Sequence, residues 1–129
     1  MLFRSLTAIV LHEQVNANLT VIEKLERNSD VSFAVVLLTP DDVGGKKESS
    51  NNLTPRARQN VLIELGYFVG KLGRSNVCAL RLGDTEIPSD FSGVIYTDID
   101  KAGAWKTKLA QELVGAKFTI KLEALGLKA

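Results

Sequence analysis

One cysteine, one histidine and one tryptophan in 129 residues leave little of the usual catalytic inventory. A disulfide cannot form within the chain, and a zinc site built from cysteine and histidine lacks its ligands. Cys78 lies in an apolar run and reads as a buried structural thiol. His12 has no hydroxyl or thiol partner recognisable beside it, which favours a hydrogen-bonded structural role over catalysis. Excess charge is missing as well. Sixteen basic residues stand against 15 acidic ones, and aromatics make up 6%, with no basic face interleaved with aromatics to suit a nucleic acid. No apolar run approaches the length of a membrane span, and residues 1–6 do not have the layout of a secretory signal. The expectation is a cytoplasmic protein without nucleic-acid or membrane partners and without a metal. The triplets Asn18-Leu19-Thr20 and Asn52-Leu53-Thr54 are then chance matches to a glycosylation motif.

What is present is an ordinary core. A hydrophobic fraction of 45% in 14.0 kDa fits one globular domain spanning residues 1–129. Short apolar runs at residues 7–11, 33–38, 76–82 and 93–97 do not alternate, and so read as buried parallel strands. Helical patterns at residues 21–27, 55–72 and 104–114 separate them, the last repeating Trp105, Leu109 and Leu113. The order is that of an α/β fold with a parallel sheet. Thr20 to Glu23 has capping-box spacing, so Glu23 is expected to satisfy a backbone donor at its own helix start.

The helix over residues 55–72 carries the most information. Thr54 is placed as its N-cap, Pro55 as its first residue and Gly73 as its stop. At 3.6 residues per turn, Val61, Leu65, Phe68, Val69 and Leu72 share an apolar face. Asn60, Glu64, Tyr67 and Lys71 form the row beside it, where core meets solvent. Gly66, Gly70 and Gly73 share a third face that the sheet or another subunit is expected to approach closely.

Residues 41–52 turn polar, with a composition that predicts a mobile loop just after a strand. Ligands of open parallel sheets bind outside the carboxyl ends of the strands. The loop, residues 11–16 and the helix bearing Glu64 should therefore surround one crevice. Thr39, Asp41 and Asp42 follow a strand's carboxyl end, while Arg58 and Asn60 open the helix, so these five are expected to line the site, with Arg58 suited to a pyrophosphate.

Four segments resemble successive blocks of one family: His12-Glu13-Gln14, residues 32–44 from Ser32 to Gly44, residues 56–74, and residues 88–93. The chain resembles the TIR-like domains of bacterial antiviral systems, described as predicted nucleotide-binding proteins and found fused to bacterial STING sensors. That resemblance implies a flavodoxin-like TIR fold, cleavage of NAD+ at the nicotinamide glycosidic bond, and Glu64 as the catalytic carboxylate. NAD+ would be the substrate, with no cofactor. Asn60 occupies a position where some catalytic TIR domains carry tryptophan. A sensor in cis or in trans and self-association through TIR to TIR contacts are implied as partners.

The family usually begins with a strand ending in a His-Gly-His-Asp-like loop, whereas residues 1–6 resemble only the tail of the helix that follows it. About one βα unit of the flavodoxin order, the central strand, is thus expected to be missing, which favours association and weak activity of this chain alone. Val15, Asn18 and Leu19 also stand where the family loop commonly has Pro, Gly and Arg. Two alternatives remain beside the NAD+ glycohydrolase. One is a non-catalytic TIR interaction module in which Glu64 is a solvated boundary residue; the other is a nucleoside deoxyribosyltransferase-like enzyme, whose sheets also present a glutamate in a Glu-Leu-Gly context. A receiver domain phosphorylated on Asp41 or Asp42 would need an acidic cluster and a switch lysine that the sequence does not show.

Overall fold

Val77, Cys78, Ala79 and Leu80 are all buried, so one strand is covered on both faces and the remaining elements are arranged around it. The computed structural model describes residues 20–27, 30–88 and 96–116. The buried strand, β4 (Val77–Arg81), lies between β1 (Ala34–Leu38) and β5 (Tyr96–Asp98) and runs parallel to both. Ala34 is in register with Val77 and Leu38 with Arg81; on the other side Ala79 meets Tyr96 and Arg81 meets Asp98. This is the expected α/β arrangement with a parallel sheet. The expected strand at residues 7–11, the resemblance of residues 1–6, and the positions His12, Val15, Asn18 and Leu19 lie outside the described residues.

Helix α2 (Gln59–Leu72) covers one side of the sheet. Its Leu65 and Phe68 are buried in one cluster with Ala34, Val36 and Leu38 of β1, Val77 and Ala79 of β4, and Leu25 of helix α1 (Val21–Arg27). That cluster corrects the reading of β1 as buried on both faces. Ala34, Val36 and Leu38 are buried, but Val35 and Leu37 are 45% and 52% exposed. A run of five aliphatic residues shows no alternation in its chemistry; the helix that packs on one face imposes it.

The start of α2 needs a second correction. Thr54 and Pro55 do not open the helix, which begins at Gln59 behind an extended Arg58. Thr54, Pro55 and Arg56 form strand β3 (Thr54–Arg56), antiparallel to β2 (Asp42–Gly44), with Val43 opposite Pro55. Proline is tolerated there for a geometric reason. A strand residue points its N–H and C=O to the same side, and the Pro55 carbonyl accepts from the Glu86 N–H at 2.9 Å, away from β2. The β2–β3 ladder therefore loses no donor.

The segment expected to be a mobile loop thus begins as a hairpin strand, Asp42–Gly44, and only its remainder is loop. A polar composition argues against burying side chains, but a hairpin ladder uses backbone groups, and residues 45–53 at its tip are exposed, including a short 3-10 turn at Lys47–Ser49. Gly44 leaves room for the Arg56 side chain. A methyl group there would sit 2.7 Å from Cδ of Arg56, whose side chain crosses this spot.

The two ends of the helical layer are fixed by polar caps. Thr20 accepts the Glu23 N–H through its hydroxyl at 3.2 Å and donates that hydroxyl to the Glu23 carboxylate at 3.0 Å. Glu23 is thus held at its helix start as expected, but its carboxylate meets the Thr20 side chain rather than the expected backbone donor. Gly73 ends α2 with φ 85, as the sequence predicts, and its N–H reaches the Val69 carbonyl at 3.0 Å. Among the described residues the sheet does not make the expected close approach to the glycine face at Gly70 or Gly73, where an added Cβ would meet nothing within 4 Å. Helix α3 (Ala104–Gly115) follows β5; the Asp100 carboxylate accepts the N–H groups of Ala104 at 3.0 Å and Trp105 at 2.9 Å. Those bonds hold the Asp100 carboxyl below the usual range. Cys78 is buried as expected, and burial, with Glu112 nearby, pushes its thiol up.

Candidate active site

The carboxyl ends of β1 and β4 are level, because the Leu82 N–H donates to the Leu38 carbonyl at 2.9 Å across the parallel pair. The chain leaving β1 there turns at once: the Asp41 N–H reaches back to the Thr39 carbonyl at 2.8 Å, and the Thr39 hydroxyl donates to Asp41 Oδ2. The same carboxylate oxygen stands 3.8 Å from Nε of Arg58. Asp41 immediately precedes β2 and Arg58 follows β3 by two residues, so this ion pair closes the open end of the hairpin. Both partners are largely solvated, at 66% exposure for Arg58 and 47% for Asp41, which leaves the guanidinium accessible.

Three of the five residues expected to line the crevice are thereby brought together: Thr39, Asp41 and Arg58. Asp42 is next in the chain, exposed and in register with Arg56 in the hairpin ladder. Asn60 is exposed in the first turn of α2, and Glu64, half-buried, sits one turn further along the same row. Glu64 is six positions beyond Arg58, about 9 Å along a helix axis. The flank position read from the helical spacing is the one Glu64 occupies, beside the buried Leu65 and Phe68.

Sequence reasoning missed the residue that joins the hairpin to the sheet. Glu86 follows β4 and forms a parallel bridge with Arg56. Its Oε2 accepts from Arg56 Nε at 2.6 Å and from the Thr54 hydroxyl at 2.8 Å. The Thr54 and Arg56 bonds hold the Glu86 carboxyl below the usual range. A signal existed: Thr54 and Arg56 are two apart, so on a strand both side chains point to one side. On the neighbouring strands Arg81 pairs with Asp98 at 2.6 Å and lies 5.0 Å from the Tyr96 ring centroid, and that hydrogen bond holds the Asp98 carboxyl down. Among the described residues no group of three or more His, Cys, Asp or Glu side chains is placed to hold a metal ion, and no helix is long and apolar enough to cross a membrane.

A parallel sheet whose carboxyl edge meets a polar hairpin and a helix with a half-buried carboxylate is the architecture of a flavodoxin-like TIR domain. The family model described as CAP12/Pycsar effector protein, TIR domain, matches residues 1–101, and the chain belongs to that family. It is 56% identical over 112 residues to the uncharacterized protein YuaY of Escherichia coli, covering 86% of this chain and 37% of YuaY. It is 38% identical over 98 residues to the protein tirC of Dictyostelium discoideum, covering 68% of this chain and 49% of tirC. Against the Pycsar effector protein PaPycTIR of Pseudomonas aeruginosa the identity is 41% over 76 residues, covering 57% of this chain and 24% of the effector. The chain thus spans half or less of each of these relatives.

Proposed function

We propose that the domain is an NAD+ glycohydrolase of bacterial antiphage defence, with Glu64 as its catalytic carboxylate. The observation that carries the reading is the place of Glu64: half-buried on the flank of α2, up the helix from an accessible Arg58. Cleavage breaks the bond between the ribosyl anomeric carbon and the nicotinamide nitrogen. Nicotinamide is cationic while bound, so it leaves with the bonding pair and needs no proton. The ribosyl oxocarbenium ion left behind is stabilised by a carboxylate in a partly desolvated setting, and water then adds to it with loss of a proton. Arg58 meets the pyrophosphate, Asn60 the ribose side, and Thr39 and Asp41 hold Arg58 in place, with Asp42 at the rim.

Two further elements belong to this reading. Relatives named Pycsar effector and CD-NTase-associated protein support a cyclic-nucleotide sensor, in cis or in trans, as the partner that switches the domain on. Self-association is the second; Val35 and Leu37 on β1, with Val43 and Leu53 on the hairpin, offer exposed apolar surface for it. Light scattering of the purified chain should give a dimer or larger species, and a monodisperse monomer at tens of micromolar removes that part.

The site is tested by nicotinamide release. Replacing Asp41, Asp42 and Arg58 together with alanine should raise KM for NAD+ or lower kcat without unfolding the protein, since all three side chains are exposed. Unchanged kinetics in the triple variant would place the crevice elsewhere. A TIR interaction module without catalysis is the second reading; it predicts no nicotinamide release at any protein concentration.

A further inference from the structure

We propose that Glu86 is a positioning residue: it latches the β2–β3 hairpin to the sheet's carboxyl edge and so sets where Arg58 stands relative to Glu64. This deepens the NAD+-cleaving reading and rests on it for its kinetic half. The turn bearing Glu86 is itself anchored. Thr85 is fully buried and donates its hydroxyl to the Leu82 carbonyl at 2.7 Å, while Leu82 is bonded to the end of β1. From that base Glu86 makes three bonds to β3: its N–H to the Pro55 carbonyl at 2.9 Å, and Oε2 to the Thr54 hydroxyl at 2.8 Å and to Arg56 Nε at 2.6 Å. The Thr54 hydroxyl has one proton and spends it on Glu86, since the Gly44 carbonyl is farther away at 3.3 Å.

Geometry makes this contact a lever. Arg56 is two residues before Arg58, the N-cap of α2, and the pair of Asp41 with Arg58 shuts the hairpin at the same end. A shift of β3 is therefore passed to the guanidinium at the mouth of the crevice. Both side chains of the latch are partly exposed, 39% for Arg56 and 44% for Glu86, and exposed ion pairs add little to global stability. The effect belongs in the placement of the hairpin and not in the melting temperature.

The test uses Glu86→Ala, Glu86→Gln and the swapped pair Arg56→Glu with Glu86→Arg in the full chain, read by amide hydrogen exchange and by NAD+ kinetics. For Glu86→Ala we expect at least ~10-fold faster exchange in residues 42–56, with α2 and β4 unchanged, and a KM for NAD+ raised ~10-fold with kcat within about twofold. Glu86→Gln keeps an acceptor for both donors and should recover most of each change, as should the swapped pair. Unaltered exchange in the hairpin overturns the latch whether or not the chain cleaves NAD+. Faster exchange with unaltered KM overturns the link to Arg58 while leaving the NAD+ reading intact. Absence of cleavage by the unmodified domain even with its partner sensor present removes the NAD+ reading, and the exchange result then judges the latch alone.

Discussion

Glu64→Gln is expected to lower nicotinamide release from NAD+ by at least ~100-fold while leaving the melting temperature within a degree or two. The substitution keeps the size of the side chain and one acceptor oxygen, but it removes the negative charge that offsets the oxocarbenium ion. Glu64 sits at the edge of the core and not in it, whereas its neighbours Leu65 and Phe68 are buried, so packing should survive the change. The measurement is single-turnover release under conditions where the unmodified domain is active, with its partner sensor if activity requires one. Turnover near that of the parent would remove Glu64 from the mechanism and return the helix to the interaction-module reading.

The second large effect is on stability. Leu65→Ala should cost about 2–5 kcal/mol, because Leu65 is 1% exposed and packs in the cluster that joins α2 to β1 and β4. Urea unfolding should show the midpoint moving with little change in slope. A loss below 1 kcal/mol would mean that the cluster collapses onto the gap. Taken together the two variants are expected to separate chemistry from architecture on adjacent positions of one helix: Glu64→Gln should act on rate, Leu65→Ala on folding.

The placement of these side chains was legible in the sequence because helical periodicity is a local rule that burial enforces. Leu65 and Phe68 on the inner face and Glu64 on its flank follow from the spacing alone. The parallel strands were legible too, from short apolar runs between helices. The features that escaped depend on partners distant in the chain. Thr54 and Pro55 carry the chemistry of a helix start, but pairing with residues 42–44 outweighs it. Glu86 is an isolated bridge residue beyond the turn after β4, too short a stretch for periodicity to show, and its role exists only because β3 lies beside it. Asp100 caps α3 across an intervening turn, and Gly103, with φ 84, gives the chain the bend that brings it there. In the candidate site Thr39, Asp41 and Arg58 lie together, whereas the device that fixes their hairpin left only the spacing of Thr54 and Arg56 as a local signature, with nothing to point to Glu86 as their partner.

The pairing of β1 with β4 also bears on the order of events expected during folding. The two strands are neighbours in the sheet, yet the hairpin and the whole of α2 lie between them in the chain. Closing so long an open loop would have to meet its full entropic cost before the first strand-to-strand bond formed. Hairpin and helix contacts are local, so they can form early and draw the two ends together. A hairpin and helix that form early would shorten the open loop left to close between β1 and β4, which gives the polar segment a use in folding apart from the core.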